Sequence, residues 1–306
     1  MTGTVVTIGN FDGVHAGHRQ LCRQVVAAAQ ERGLRTAALT FYPHPLTVVA
    51  PARAPKLLTT IEEREALIRE QGIEEVVVLP FTKDLARVTP EDFVERVLVG
   101  QLGARLVLVG SNFRFGHKHA GDACLLAELG KRHGYETRIV DVVKIRGRIV
   151  SSSGVRELIE RGDVAMAGRM LERPHWLGGE VVSGHGIGSK QTVPTLNLRT
   201  EHEVLPASGV YITRTKDLDS ARCWNSITNV GFRPTFNGDA MTIETFLLDP
   251  LTGESPKRIR VKFLRRVRDE RKFENSEALK GQIFRDVSRA QAFFRRLARW
   301  TRRPLN

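Results

Sequence analysis

Cysteine is scarce in this 306-residue chain: Cys22, Cys124 and Cys223 are the only three, and they lie far apart. That excludes a disulfide-stapled scaffold, offers no zinc-like spacing, and suits a reducing cytoplasm. Long apolar runs are also missing. No window approaches the roughly 18 consecutive apolar residues of a membrane helix. The N-terminus passes at once into Thr4-Val5-Val6-Thr7-Ile8, without the basic and apolar regions of a signal peptide. A cytoplasmic protein with no membrane partner is therefore expected. Acid is what the C-terminus lacks: residues 257–306 hold 17 Lys and Arg against 5 Asp and Glu, nearly the whole formal charge of +13. A polyanion-binding surface and an Arg-rich solvated helix face both fit that excess. The second reading is preferred, so nucleic acid is not the expected partner.

Apolar material is ample, and the length suits two domains at about 100–200 residues each. Strand-like runs Thr4–Gly9, Thr36–Tyr42, Glu75–Pro80, Arg105–Gly110 and Thr137–Val143 alternate with helical stretches His18–Arg32, Ile61–Gln71, Pro90–Leu102 and Gly121–His133. Thr60 with Glu63 marks the start of the second helix. The alternation predicts an α/β domain with a doubly wound parallel sheet, whose ligands bind beyond the carboxyl ends of the strands. Two connecting helices follow, Val155–Arg161 and Ala165–Leu171. Then short runs broken by turn residues, Gly179–Val182, Val210–Thr213, Trp224–Val230, Thr242–Leu248 and Ile259–Phe263, predict a C-terminal antiparallel β-barrel. A terminal α-helix, about Ser276–Arg299, should turn Ile283, Val287, Ala290, Phe294 and Leu297 to the barrel. The expected domains are 1–157, a helical linker 158–175, and 176–306.

The strongest motif is Gly9-Asn10-Phe11-Asp12-Gly13-Val14-His15-Ala16-Gly17-His18, between a strand and a helix. Gly9, Gly13 and Gly17 allow tight turns, and the helix start offers amides and a positive dipole end to phosphates. His15 and His18, three apart, can face one side and stabilise charge in transfer at an α-phosphate. The bland alternative is one capping and one surface histidine. His44, in Phe41-Tyr42-Pro43-His44-Pro45, sits in a loop at a strand end, either binding or capping. Asn112 follows a buried strand and fits a ligand contact or a turn cap. Ser151-Ser152-Ser153 with Arg156 reads as a second phosphate loop, Arg156 being suited to bidentate contact; a surface arginine is the alternative.

In the second half, Gly184, Gly186 and Gly188 form a Gly-rich turn that lacks Walker A spacing. Thr195 and Asn197 offer hard oxygen ligands for Mg2+. Glu244 interrupts an apolar strand, as an exposed carboxylate or as a general base for an alcohol attacking a γ-phosphate.

The first motif resembles the HxGH nucleotidyltransferase superfamily. Together with Phe41–Pro45, Gly110–Gly116 and Val150–Arg156, it resembles the prokaryotic bifunctional riboflavin kinase/FAD synthetase family across nearly the whole N-terminal half. Pro194-Thr195-Leu196-Asn197 and the Glu244 strand are similar to that family's riboflavin kinase module. The resemblance implies that the barrel phosphorylates riboflavin with Mg2+ and ATP to give FMN. It implies that the α/β domain adenylylates FMN with ATP, giving FAD and pyrophosphate. His15 and His18 would then be catalytic, with Gly9, Phe11, Gly13, Gly17, Asn112, Ser152 and Arg156 holding ATP or phosphate. In the barrel Glu244 would be the base, Gly184, Gly186, Gly188, Thr195 and Asn197 would hold ATP, and Thr195 and Asn197 would hold the metal. His44, Phe113, Phe115 and Arg268 are candidate flavin contacts, although Phe113 and Phe115 fit core packing equally. Three departures stand out: Gly154 where many members carry a bulkier or basic residue, Leu196 where a small residue is usual, and the altered Gly188–Val193 stretch. The alternative is a nucleotidyltransferase acting on another phosphate ester, with a flavin-binding but inactive barrel.

Overall fold

The apolar runs of the N-terminal half are strands, and the three central ones are buried on both faces. In a computed structural model, which describes residues 3–182, 195–235 and 238–301, the chain divides into two units, Met1–Gly154 and Val155–Asn306. The first unit carries strands β1 (Thr4–Ile8), β2 (Arg35–Tyr42), β3 (Glu75–Pro80), β4 (Ala104–Gly110) and β5 (Glu136–Val140). They form one parallel sheet in the order β3-β2-β1-β4-β5. The chain builds outward from β1 to β3 and then returns to the other side of β1, so the order reverses between β1 and β4. Such a reversal opens a crevice at the strands' carboxyl ends.

Helices α1 (Ala16–Arg32), α2 (Pro45–Val49), α3 (Ile61–Arg69), α4 (Pro90–Phe93) and α5 (Ala123–His133) connect the strands. Val6, Ile8, Leu39, Val107 and Val109 on one sheet face pack with Phe93, Leu98, Leu126 and Leu129. Thr60 caps α3 through a complete capping box with Glu63, as the sequence predicts. Two expected elements differ. The helix over Pro90–Leu102 is α-helical only to Phe93 and continues as a π-helix over Val94–Gln101. The last strand stops at Val140, because β5 is an edge strand paired only with β4, and the apolar residues Ile139 and Val142 are exposed.

The second unit begins with α6, which spans Ser152–Glu160 across the division, and α7 (Val164–Leu171). Six antiparallel strands follow: β6 (His175–Val182), β7 (Thr195–Thr200), β8 (Gly209–Asp217), β9 (Cys223–Thr235), β10 (Gly238–Leu247) and β11 (Arg258–Arg268). They close a barrel in the order β6-β7-β10-β9-β8-β11. Five match expected runs. The sixth, β7, is absent from the expected strands, although Leu196 and Leu198 alternate with polar residues as a half-buried strand requires. Both leucines are buried in the barrel core with Tyr211, Trp224, Ile243 and Phe263.

Helix α8 (Ser276–Thr301) lays Ala290 and Phe294, flanked by Val287 and Leu297, against Val210, Ile212 and Ile227. Ile283 does not join them: it is 40% exposed, whereas Gln282 and Asp286 are buried. Asp286 accepts hydrogen bonds from Arg268 Nε and Gln282 Nε2, each at 2.8 Å. One turn of the inner face is thus polar, because the half-buried Arg268 guanidinium takes a buried acceptor.

Candidate active sites

The loop between β1 and α1 passes through the left-handed region three times, at Phe11 (φ 48°), Gly13 (φ 80°) and Val14 (φ 40°). Only Gly13 adopts this without steric cost, and each of the others costs about 1–3 kcal/mol. Both Phe11 and Val14 are fully buried. Burying such a side chain returns about 1.5–3 kcal/mol, enough to hold the turn.

The turn brings His15 to the N-cap of α1, where its Nδ1 accepts the His18 amide at 3.4 Å. The lone pair therefore sits on Nδ1, and in the neutral ring Nε2 carries the proton. The His15 and His18 rings stack nearly parallel, with centroids 3.7 Å apart. Phe11 packs edge-on against His18. A Cβ at Gly17 would stand 3.2 Å from the His15 ring, so glycine there leaves the imidazole its place.

His18 is half-buried as a residue, but its Nδ1 is cut off from solvent and has no hydrogen-bond partner among the described residues. A lone pair there is less costly than an unpaired N–H, which puts the proton on Nε2. The ring's pKa is held well below the ordinary imidazole value, chiefly by burial, then by His15 and by the Arg64 guanidinium. Two parallel imidazoles, that of His18 held uncharged, thus lie beside the first turn of α1, whose leading amides have no acceptor within the helix. The Gly9 and Gly13 amides are already used, donating to the Leu39 carbonyl at 3.1 Å and to Thr59 Oγ1 at 3.2 Å.

His44 caps α2 through Nδ1, which accepts the Leu46 amide at 3.2 Å. Its Nε2 lies 3.2 Å from the Asn10 side-chain amide. With Nδ1 accepting, Nε2 must donate, so Asn10 presents its oxygen. This joins the loop after β2, which contains a cis Tyr42–Pro43 bond, to the loop after β1. Ser152 Oγ donates to the Asp12 carbonyl at 2.9 Å, joining the serine segment to the same loop. Asn112 is exposed beyond the end of β4, on the β1–β4 side where the strand order reverses. Phe113 and Phe115 stack on each other at 5.5 Å and pack with the sheet core. Arg156 is half-buried on α6, in the second unit.

Sequence reading missed the group beneath these residues. Asp12, 1% exposed, accepts the Leu58 amide at 3.0 Å, the Thr59 amide at 3.2 Å and Thr59 Oγ1 at 3.3 Å. Arg64 is fully buried and lies 3.8 Å from Asp12. A charged residue on the inner face of the short helix α3 was the available signal, since buried charges are rare unless paired.

In the barrel, Asn197 on β7, Glu244 on β10 and Asn229 on β9 are direct cross-strand partners, so they form one row. Directly opposed side chains stand about 4.5–5.5 Å apart at Cβ. Leu196 and Ile243, their neighbours in sequence, are buried in the barrel core, so the row faces outward. Asn197, Glu244 and Asn229 are half-buried, and Thr195, two residues before Asn197, shares its face and is exposed. Hydroxyl, amide and carboxylate oxygens on one face form a donor set suited to a hard cation such as Mg2+. Asn229 was not singled out from sequence. Gly184, Gly186 and Gly188 lie outside the described residues. Arg268, besides its bond to Asp286, stands with Arg271 over the Phe273 ring.

Comparison with known proteins fits this two-site arrangement. The FAD synthetase family model matches residues 1–154, and the riboflavin kinase model matches residues 171–294. A bifunctional riboflavin kinase/FMN adenylyltransferase of Escherichia coli (strain K12) is 33% identical over 292 residues, covering 95% of this chain and 93% of its own. The protein of that name from Pseudomonas fluorescens is 34% identical over 291 residues, with 95% and 93% covered. A crystal structure from Streptococcus pneumoniae, described as a macrolide-efflux protein, superposes with a TM-score of 0.86 at 27% identity, covering 95% of this chain and 94% of that one. Parallel-sheet unit, barrel unit and full-length similarity agree: the chain belongs to the bifunctional riboflavin kinase/FMN adenylyltransferase family.

Proposed function

We propose that this chain makes FMN from riboflavin in its barrel unit and FAD from FMN in its α/β unit, consuming one ATP at each step. The observation that carries the reading is the stacked imidazole pair at the start of α1, with His18 held uncharged by burial, in a chain similar to the bifunctional enzymes over nearly its full length.

In the adenylyl-transfer site, a phosphate oxygen of FMN attacks the α-phosphorus of ATP, and the α–β bridging bond breaks to release pyrophosphate. The Nε2–H groups of His15 and His18 and the first-turn amides of α1 stabilise the charge that builds on the phosphoryl oxygens. Gly9 and Gly13 shape the loop, their own amides being committed within it. Phe11 fixes the His18 ring, and Gly17 makes room for that of His15. Asn112 and Arg156 add phosphate contacts, Ser152 holds the loop from behind, and His44 borders the flavin phosphate. Phe113 and Phe115 support the pocket wall.

In the kinase site, Glu244 takes the proton of the riboflavin 5′-hydroxyl as its oxygen attacks the γ-phosphorus of ATP, and ADP leaves. Thr195 and Asn197 are the residues that would hold Mg2+, which when bound offsets phosphate charge. Asn197 and Asn229 flank Glu244 and fix its orientation. Gly184, Gly186 and Gly188 are assigned to ATP binding. Arg268, held by Asp286, borders the flavin. The functional boundaries are 1–157 and 176–306, with 158–175 as linker. The site of action is the cytoplasm; among the described residues, no helix is long and apolar enough to cross a membrane.

The test is incubation with riboflavin, ATP and Mg2+, followed by chromatography. FMN should accumulate first and FAD second. His18→Ala should stop at FMN, with adenylylation reduced about 10²–10³-fold. Glu244→Gln should make no FMN yet convert supplied FMN to FAD. Loss of both activities in either variant refutes two separate sites.

A further inference from the structure

Arg64 is the largest fully buried side chain among the described residues, and it lies in the first turns of α3, where sequence reading placed no function. Taking a guanidinium out of water is expensive, and a hydrocarbon side chain would fill the space without that cost. Its neighbours suggest what it is kept for. Nη1 donates to the Phe41 carbonyl at 3.3 Å, at the end of β2, three residues before His44. Nη2 stands 3.8 Å from the Asp12 carboxylate, three residues before His15. Asp12 itself grips Leu58 and Thr59, just ahead of the Thr60 cap of α3. The helix that carries Arg64 is therefore registered against the loop that its guanidinium touches.

We propose that Arg64 is a positioning residue for adenylyl transfer: it ties the His15–His18 loop to the His44 loop and sets a fixed positive charge beneath the imidazole pair. The proposal rests on the adenylyl-transfer reading of this site. Its planar fork bonds the Phe41 carbonyl with one nitrogen and sets the other beside the Asp12 carboxylate, which the single ammonium of lysine does not reproduce. The charge acts on His18, where Arg64 is one of the groups that disfavour protonation, alongside burial and His15. An uncharged His18 keeps its Nδ1 lone pair in the closed interior and its Nε2–H toward the nucleotide. The same positive charge offsets negative charge accumulating on the transferred phosphoryl group, because a fixed charge in a closed site is poorly screened.

The experiment uses the full chain carrying Arg64→Lys, Arg64→Gln or, as reference, His18→Ala. FMN adenylylation, riboflavin phosphorylation and the NMR titration of the His18 ring are measured for each arginine variant. Arg64→Gln should lose roughly 10–100-fold in adenylylation, mainly in kcat, the usual cost of removing a group that orients a site from behind. Phosphorylation should persist, and the His18 titration should move to higher pH. Arg64→Lys keeps the charge, so it should leave the titration in place and lose less activity. The proposal is overturned if Arg64→Gln adenylylates within about twofold of the parent. It is also overturned if both activities fall together in both variants, the mark of a purely structural role. Should Arg64→Gln not fold, Arg64→Lys decides: reduced adenylylation with intact phosphorylation supports the proposal, and parental adenylylation overturns it. If His18→Ala retains adenylylation, the reading of the site fails rather than the role of Arg64 within it.

Discussion

Replacing Asp12 tests which of its bonds hold the nucleotide loop. The carboxylate serves two backbone amides, one hydroxyl and one guanidinium, all in the closed interior. In Asp12→Ala the Leu58 and Thr59 amides lose their acceptor. An orphaned buried donor costs about 1–3 kcal/mol, so the pair costs about 4 kcal/mol. Asp12→Asn differs in kind. All three donors reach Oδ1, at 3.0, 3.2 and 3.3 Å, and asparagine retains that oxygen, while the second Leu58 contact, to Oδ2 at 3.1 Å, is lost to its amide nitrogen. It loses charge assistance, roughly half the strength of such bonds, and the attraction of Arg64 across 3.8 Å, beyond hydrogen-bond distance. The expected cost is about 1–2 kcal/mol.

Hydrogen exchange of peptides spanning residues 4–69 in the full chain reads this difference. Trp176, Trp224 and Trp300 are the only tryptophans and all lie in the second unit, so their fluorescence is the control that should not move. Equal destabilisation by alanine and asparagine would show that the Arg64 ion pair, not the amide grip, carries the loop. Alanine costing less than about 1 kcal/mol would refute the whole assignment.

Gly17→Ala places a methyl 3.2 Å from the His15 ring. Adenylylation should fall by about tenfold or more as the stacked pair is displaced, while phosphorylation holds. Parental adenylylation would show that the ring position is not critical. Stability of the first unit should also depend on pH through His18. Its folded pKa lies below the unfolded value, so between the two the unfolded chain binds more protons. The stabilisation is complete above about pH 7 and declines as pH falls through 6 toward the folded value. Urea unfolding of the first unit should show that decline in the parent and a flatter profile in His18→Gln; matching profiles would place the titration elsewhere.

Local pattern in the sequence determined much of this molecule. Apolar runs at β1, β2 and β4 specify buried parallel strands because a central strand needs no polar face. Thr60 and Glu63 specify the start of α3 because their bonds close within one turn. The glycine and histidine spacing after β1 marks the nucleotide loop. What the sequence left open depended on partners distant in the chain. β7 is short and polar on alternate positions, and only closure of the barrel makes it a strand. Ile283 follows helical periodicity yet faces solvent, because Arg268 needs Asp286 and Gln282 on the inner face. Asp12 and Arg64 are an ordinary acid and base in sequence; 52 positions apart, they meet only where the sheet brings the ends of β1 and β2 side by side. Periodicity and capping act over a few residues and are legible in one dimension. Burial of charge and opposition across strands exist only after folding, and those decided how the site is held.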